Sequence, residues 1–271
     1  LWKDGVKLIL RKNINYFEKV RGESLPYLDA ISITFIKDKQ SAFLQFIQGK
    51  IDFISGIDAS YKDEILTKKG TLKEKYKDSI NLYSLPYLNT EYLGFLMEES
   101  PLPLEIRKAI NYGFDRVEML KYLRNNIGRP ALNGFIPVGL PSFTSHLIGY
   151  HYDPVKAKNL IEESKFDIRK EIVLSTTSSY LDLCEYIQNS LQKVGLNIRL
   201  ELNPPSTHRQ KVATSKLTFF RGSWIADYPD AENYLSLFYS NNFCPEGPNY
   251  THFSNKEFDQ LYEASLSEKD I

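Results

Sequence analysis

The stretch from Glu171 to Leu202 restricts the possible folds of this chain more than any other. Glu171 to Thr176 is a segment of strand length centred on the apolar Ile172, Val173 and Leu174, and Leu183, Ile187, Leu191 and Val194 then recur at the spacing of one helix face. Gly195 supplies a residue suited to ending that helix, after which Leu196, Ile198, Leu200 and Leu202 alternate with polar neighbours as a half-buried strand does. A strand, a long helix and a second strand of these lengths form a right-handed crossover with the two strands parallel. The region therefore belongs to the α/β class.

A similar order is expected earlier. Ile31 to Phe35 alternates as a strand, Ala42, Phe43, Phe46 and Ile47 form a helical stripe closed by Gly49, and Ile51 to Ile54 reads as a returning strand. A short helix over about Tyr61 to Lys69 is predicted to lead to a strand over Leu82 to Leu85. These elements define a first lobe over residues 1–85, with residues 86–271 forming most of a second, ligand-binding lobe. In that second lobe Tyr92 to Met97 reads as a strand. A helix carrying Ile106, Ala109, Ile110 and Gly113 follows. Asp115 with Glu118 makes a capping box for a helix that Gly128 ends, Asp153 and Pro154 open a helix through Ser164, and Ser254 with Glu257 caps a last helix bearing Phe258, Leu261 and Ala264.

The segment that points to function runs from Leu217 to Asp230. Leu217 to Phe220 is apolar and aromatic, so a buried strand is predicted, and Gly222 with Ser223 loosens the backbone where a strand leaves its sheet. Trp224 and Asp227 then fall at or just past a strand end, where ligands collect in open α/β sheets. Pro229 forces Tyr228 out of helical angles, and Asp230 is placed to cap a helix whose apolar positions are Tyr234, Leu235, Phe238 and Tyr239.

The run Ser223-Trp224-Ile225-Ala226-Asp227-Tyr228-Pro229-Asp230 and its continuation through Asn242 resemble the signature of the family 5 extracellular solute-binding proteins, the dipeptide and oligopeptide receptors of bacterial ABC importers. Further segments agree in the family's order. Ile47-Gln48-Gly49-Lys50-Ile51-Asp52 is similar to an early helix, glycine and Ile-Asp turn. Leu104 to Arg116 resembles the helix ending in tyrosine, a small residue and Asp-Arg, and Gly128-Arg129-Pro130-Ala131 and Ile136 to Pro141 follow it. Tyr152-Asp153-Pro154 is similar to the opening of the next helix. The resemblance covers nearly the whole chain. It implies a type II periplasmic-binding-protein-like α/β fold of the large peptide-binder class, two-lobed with mixed sheets and incomplete here. The chain opens at Leu1 and stops at Ile271, so an N-terminal part with the signal or lipoprotein anchor, and a C-terminal return to the first domain, are expected to lie outside it. A periplasmic or membrane-anchored extracellular location, an ABC permease as partner and a monomeric state come with the family.

The same resemblance implies roles for residues. In the peptide-binding members the aspartate at this position of the motif holds the ligand's free α-amino group, which carries that role onto Asp227; a carboxylate in a partly dehydrated cleft suits an ammonium. Trp224 walls the cleft, Ile225 and Ala226 line it between these two, and Arg221 corresponds to an arginine that receives a ligand carboxylate in some oligopeptide binders. Each has a plainer alternative: Asp227 satisfying turn amides before Pro229, Trp224 as a core residue, Arg221 pairing with a neighbouring acid.

Composition excludes other classes. Lys and Arg number 34 against 34 Asp and Glu, so the totals carry no electrostatic footprint for nucleic acid. His146, His151, His208 and His252 are scattered without the spacing of a zinc site, so no metal or other cofactor is expected. No serine has a Gly-x-Ser-x-Gly context, there is no phosphate-binding glycine loop, and the adjacent acids Glu162 and Glu163 diverge on a helix, so no catalysis is expected. Cys184 on an apolar helical face and Cys244 in a loop read as two thiols rather than a bridge. The expected function is peptide binding and delivery to a permease. A ligand-sensing domain of a transcriptional regulator, or a receptor for a nickel complex, haem or oligosaccharide, stands as the alternative.

Overall fold

A computed structural model describes residues 1–98 and 102–268. The chain divides into two compact units, Leu1–Leu66 and Thr67–Ile271.

In the first unit, β1 (Trp2–Lys3), β2 (Lys7–Arg11) and β5 (Ala30–Thr34) form an antiparallel sheet in the order β1-β2-β5. Gly5, at φ +60°, lies in the three-residue connection that lets Lys3 face Lys7. A two-residue hairpin, β3 (Lys19–Val20) with β4 (Glu23–Ser24), interrupts the path to β5. The helix α1 (Lys39–Ile47) starts where Asp38 accepts the amide of Ser41 at 2.7 Å, and Gly49 follows its end at φ +70°. Phe43 is its buried residue and stacks on Tyr61 at 4.4 Å between centroids. The second helix, α2 (Lys62–Ile65), is a single turn. It is shorter than the predicted 61–69 because Leu66 turns to extended angles and Thr67 is claimed by a loop that closes through Thr71. The predicted strands over 51–54 and 82–85 do not form, and with them the first crossover is absent. A largely apolar stretch of four residues becomes a strand only where a neighbour offers a ladder, and no strand pairs with either segment among the described residues.

The second unit is built on the sheet β6-β9-β7-β8, where β6 is Asn89–Phe95, β7 Ile172–Thr176, β8 Ile198–Leu202 and β9 Phe219–Ile225. The predicted second crossover is present: β7 and β8 run parallel, joined by α6 (Leu181–Lys193), and Gly195 ends the helix segment at φ +102°. β9 runs parallel to β7 on one side and antiparallel to β6 on the other, making the sheet mixed. One face is covered by α3 (Leu104–Tyr112), α5 (Pro154–Glu163) and α6, whose Ile106, Ala109, Ile110, Ala157, Ile161, Ile187 and Leu191 pack with Leu174, Ile198 and Phe219 into the main core. The other face buries Phe220 with Val212 and Leu217, backed by Tyr92 and Tyr250. Phe219 and Phe220 thus enter different cores, as the two-residue period of a strand requires.

Capping largely follows the sequence, with differences of one to three residues. Asp115 accepts the amides of Val117 and Glu118 to open α4 (Arg116–Arg124), but that helix ends at Asn125, which takes the left-handed conformation before Gly128 is reached. Asp153 and Pro154 open α5 as expected. The last helix, α9 (Lys256–Ser265), is capped by Asn255 rather than Ser254, because the Asn255 side chain reaches the Phe258 amide at 3.0 Å. One helix was not foreseen: α7 (Pro205–Ala213) is largely polar, and only His208 and Val212 are buried in it. After β9, α8 (Glu232–Leu235) is one turn long and continues as a 3-10 turn over Ser236–Phe238. Asp230 accepts the Glu232 amide at 2.8 Å just ahead of it, but the residue preceding α8 is Ala231.

Candidate functional site

The strand that feeds the site does not stop at Gly222. Gly222 and Ser223 pair with Tyr92 and Glu91 of β6, so β9 continues to Ile225 and carries Trp224 inside the ladder opposite Thr90. Glycine is needed there for room: a Cβ on Gly222 would lie 2.5 Å from the Tyr92 ring, and one on Gly94 would lie 2.5 Å from the Phe220 ring. In the register Tyr92 faces Gly222 and Phe220 faces Gly94, so each glycine is roofed by the aromatic ring directly across from it.

Beyond the strand, one buried side chain organises the turn. Asn233, in α8, accepts from the indole nitrogen of Trp224 at 2.8 Å and from the backbone amide of Asp227 at 3.2 Å. A second anchor is the Leu88 carbonyl, which accepts the Ala226 amide at 3.0 Å and the hydroxyl of the fully buried Tyr234. These bonds fix the backbone from Trp224 to Asp227 between β6 and α8. Asn233 was not singled out in the sequence; its one signal there is a lone amide among the apolar residues of a short helix.

Within that frame the Asp227 carboxylate is exposed and has no hydrogen bond or ion pair among the described residues. It does not satisfy turn amides, since its amide is the group being held and Asp230 makes the turn bond to Glu232. Ile225 is exposed and Ala226 half-buried, while Trp224 is half-buried and pinned through its nitrogen. Trp224, Ile225, Ala226 and Asp227 therefore share one strand end.

Arg221 is placed differently. By strand alternation it lies on the face of β9 opposite Trp224. Its guanidinium forms an ion pair with Glu91 and sits over the Tyr180 ring, 3.1 Å from the centroid. Glu91 also accepts from Asn89 at 2.8 Å. Behind the strand, the buried His208 contacts the Arg221 carbonyl through Nε2 at 2.9 Å, and burial holds its imidazole below the ordinary histidine range. The remaining chemistry is that of packing. Cys184 and Cys244 are both buried free thiols, and burial raises the Cys184 thiol. Among the described residues no cluster of three potential metal ligands occurs, and no helix is long and apolar enough to cross a membrane.

A mixed α/β sheet thus carries a pinned indole near the end of its strand β9 and an exposed carboxylate just past that strand's end. The chain belongs to family 5 of the bacterial extracellular solute-binding proteins, whose middle-region model matches residues 1–243. It is similar to the probable D,D-dipeptide-binding periplasmic protein DdpA of Escherichia coli, at 25% identity over 277 residues, covering 99% of this chain and 50% of that protein. The oligopeptide-binding protein OppA of Bacillus subtilis is 27% identical over 282 residues, covering 99% of this chain and 49% of its own length. The crystal structure of the ABC transporter substrate-binding protein CtaP from Listeria monocytogenes superposes with a TM-score of 0.80 at 25% identity, covering 99% of this chain and 53% of that one. The chain spans about half the length of the curated relatives it matches.

Proposed function

We propose that this chain forms part of the receptor of an ABC importer, that its solute is a peptide, and that Asp227 holds the peptide's α-amino group. The observation that carries this reading is the state of Asp227: a charged carboxylate, uncompensated among the described residues, on a backbone held rigidly by Asn233 and Leu88. An ammonium group is the natural complement, because an ionised pair of this kind makes hydrogen bonds about twice as strong as neutral ones. Trp224 supplies an apolar wall beside it, and main-chain contacts to the peptide backbone leave the side chains of the solute free to vary. The receptor acts outside the cytoplasm, lipid-anchored or periplasmic, as a monomer that hands its peptide to the membrane permease without altering it.

The test uses the full-length protein. Native mass spectrometry of material purified without refolding should show a spread of adducts with short-peptide masses. Asp227→Ala should weaken binding of free peptides by about ten-fold or more, the loss of one charge-assisted bond, and should abolish the difference between free and N-acetylated peptides. A single non-peptide adduct, or a variant that binds both forms as before, refutes the assignment.

A further inference from the structure

Packing accounts for Cys184, whose thiol donates to the Thr176 hydroxyl at 3.3 Å and is raised by burial, but not for the surroundings of Cys244. Cys244 is 3% exposed and follows the 3-10 turn Ser240–Asn242. The loop that runs on from it is tied down by the buried Asn249, whose carbonyl accepts the Cys244 amide at 3.4 Å and whose side chain donates to the carbonyls of Tyr239 and Phe253. That loop brings the His252 ring over Phe243, stacked at 4.6 Å between centroids, and puts Nε2 3.3 Å from the Cys244 sulfur. On the other side of the ring, Nδ1 lies 2.8 Å from the Glu98 carboxylate. A carboxylate there accepts from Nδ1–H and leaves Nε2 as the basic nitrogen. The Ser215 hydroxyl, just past α7, lies 3.2 Å from both the sulfur and Nε2. Ser215 and His252 hold left-handed backbone, at φ +54° and +50°, which residues other than glycine adopt at a cost. Thiol, imidazole and orienting carboxylate are together the parts of an activated nucleophile.

We propose that Cys244 is a modification site for hydrogen peroxide and other small hydroperoxides, with His252 as its base and Glu98 as the residue that positions the ring. Nε2 takes the thiol proton, and the sulfur attacks one peroxide oxygen. An S–O bond forms as the O–O bond breaks, and the departing hydroxide collects the proton from Nε2 and leaves as water; from a hydroperoxide the alkoxide leaves as an alcohol. The sulfur gives up two electrons, the peroxide takes them, and the product is the sulfenic acid of Cys244. While Nε2 carries the proton, the Cys244 carbonyl 3.0 Å away accepts from it and Glu98 accepts from Nδ1, so the charged ring has a partner on each side. Burial turns bulky thiol reagents away. The flanking Pro245 and Glu246 are exposed and the His252 side chain is 11% exposed, so the cover over the sulfur is thin enough for a molecule little larger than water. The inference is independent of the reading of Asp227.

Peptide mapping of the full-length protein decides it. Native protein at neutral pH is treated with hydrogen peroxide in the presence of dimedone, which caps sulfenic acids, and the label on Cys244 and on Cys184 is followed by mass spectrometry. Cys184 is the internal control, a buried thiol whose partner is a hydroxyl rather than a base. Cys244 should be labelled faster than Cys184 by about ten-fold or more, since a positioned base contributes about 10²–10⁴-fold. His252→Gln and Glu98→Gln should each slow the labelling of Cys244 towards that of Cys184. The sign separates a base from a packing residue: looser packing exposes the sulfur and speeds labelling, whereas loss of the base slows it. The Glu98 side chain is 59% exposed and adds little to packing, so Glu98→Gln gives a reading even where His252→Gln fails to fold. Equal rates for the two thiols in the wild type, or variants in which Cys244 is labelled as fast as before or faster, overturn the proposal.

Discussion

Replacing Asn233 with alanine isolates the group that holds the site together. Two donors lose their acceptor, the Trp224 indole nitrogen at 2.8 Å and the Asp227 amide at 3.2 Å. The indole nitrogen belongs to a half-buried side chain, so stranding it costs about 1–2 kcal/mol, within the range for an unsatisfied donor. The amide belongs to an exposed residue and recovers water, which limits its loss to about 0.5–1 kcal/mol. The expected destabilisation is thus about 1.5–3 kcal/mol, which lowers Tm by about 3–12 °C at the sensitivity of a domain of this size. Urea and thermal unfolding measure it directly. The chain has only two tryptophans, so in a Trp2→Phe background the emission of Trp224 reports the same site, and it should shift to the red in Asn233→Ala as the ring loosens. Stability within about 0.5 kcal/mol of the parent, with unchanged Trp224 emission, would refute the claim that Asn233 orders this strand end.

Other expectations follow from single contacts. Burial depresses the His208 imidazole, so the unfolded chain takes up the proton first as pH falls; its contribution is intact above about pH 6.5 and is lost below it, and His208→Gln should flatten the urea midpoint between pH 7 and 5. Gly94→Ala should cost about 1–3 kcal/mol by forcing the Phe220 ring aside, and combining it with Phe220→Leu should recover part of that loss in thermal melts. A thiol titration of unreduced protein should find two reactive thiols in denaturant and slow reaction of Cys184 and Cys244 in the native state.

The parts of the fold that could be read in advance are those where a local signal and the tertiary environment agree. Ile187 and Leu191 repeat with a helical period and are buried with Cys184 on one face of α6, and the strands on either side of it pair in parallel as that spacing requires. The failures have the opposite character. Ile51, Phe53 and Ile54 are apolar but their segment finds no ladder; α7 has little apolar periodicity and is opened by Pro205 at a position where proline fits a first helical turn. The extension of β9 through Gly222 and Ser223 depended on Tyr92 and Glu91, more than a hundred positions earlier, and no local pattern contains that. The same limit applies to the candidate site. Trp224 and Asp227 stand out as residue types at a strand end, whereas Asn233 beneath them and Glu91 beside Arg221 are visible only once the strands are paired.

The pairing of β6 with β9 also sets a schedule for the growing chain. Glu91 and Arg221 are 130 residues apart, and everything between them must be synthesised before the inner strand of the sheet exists. At a translation rate of about 5–20 residues per second this leaves the β6 segment without its partner for roughly 6–26 s. Phe95, which stacks on Phe219, and Leu93, which packs in the main core, are without their final neighbours for that interval. Any cellular factor that must capture the polypeptide in an extended state, before it locks into a shape that cannot be threaded, has that interval in which to act.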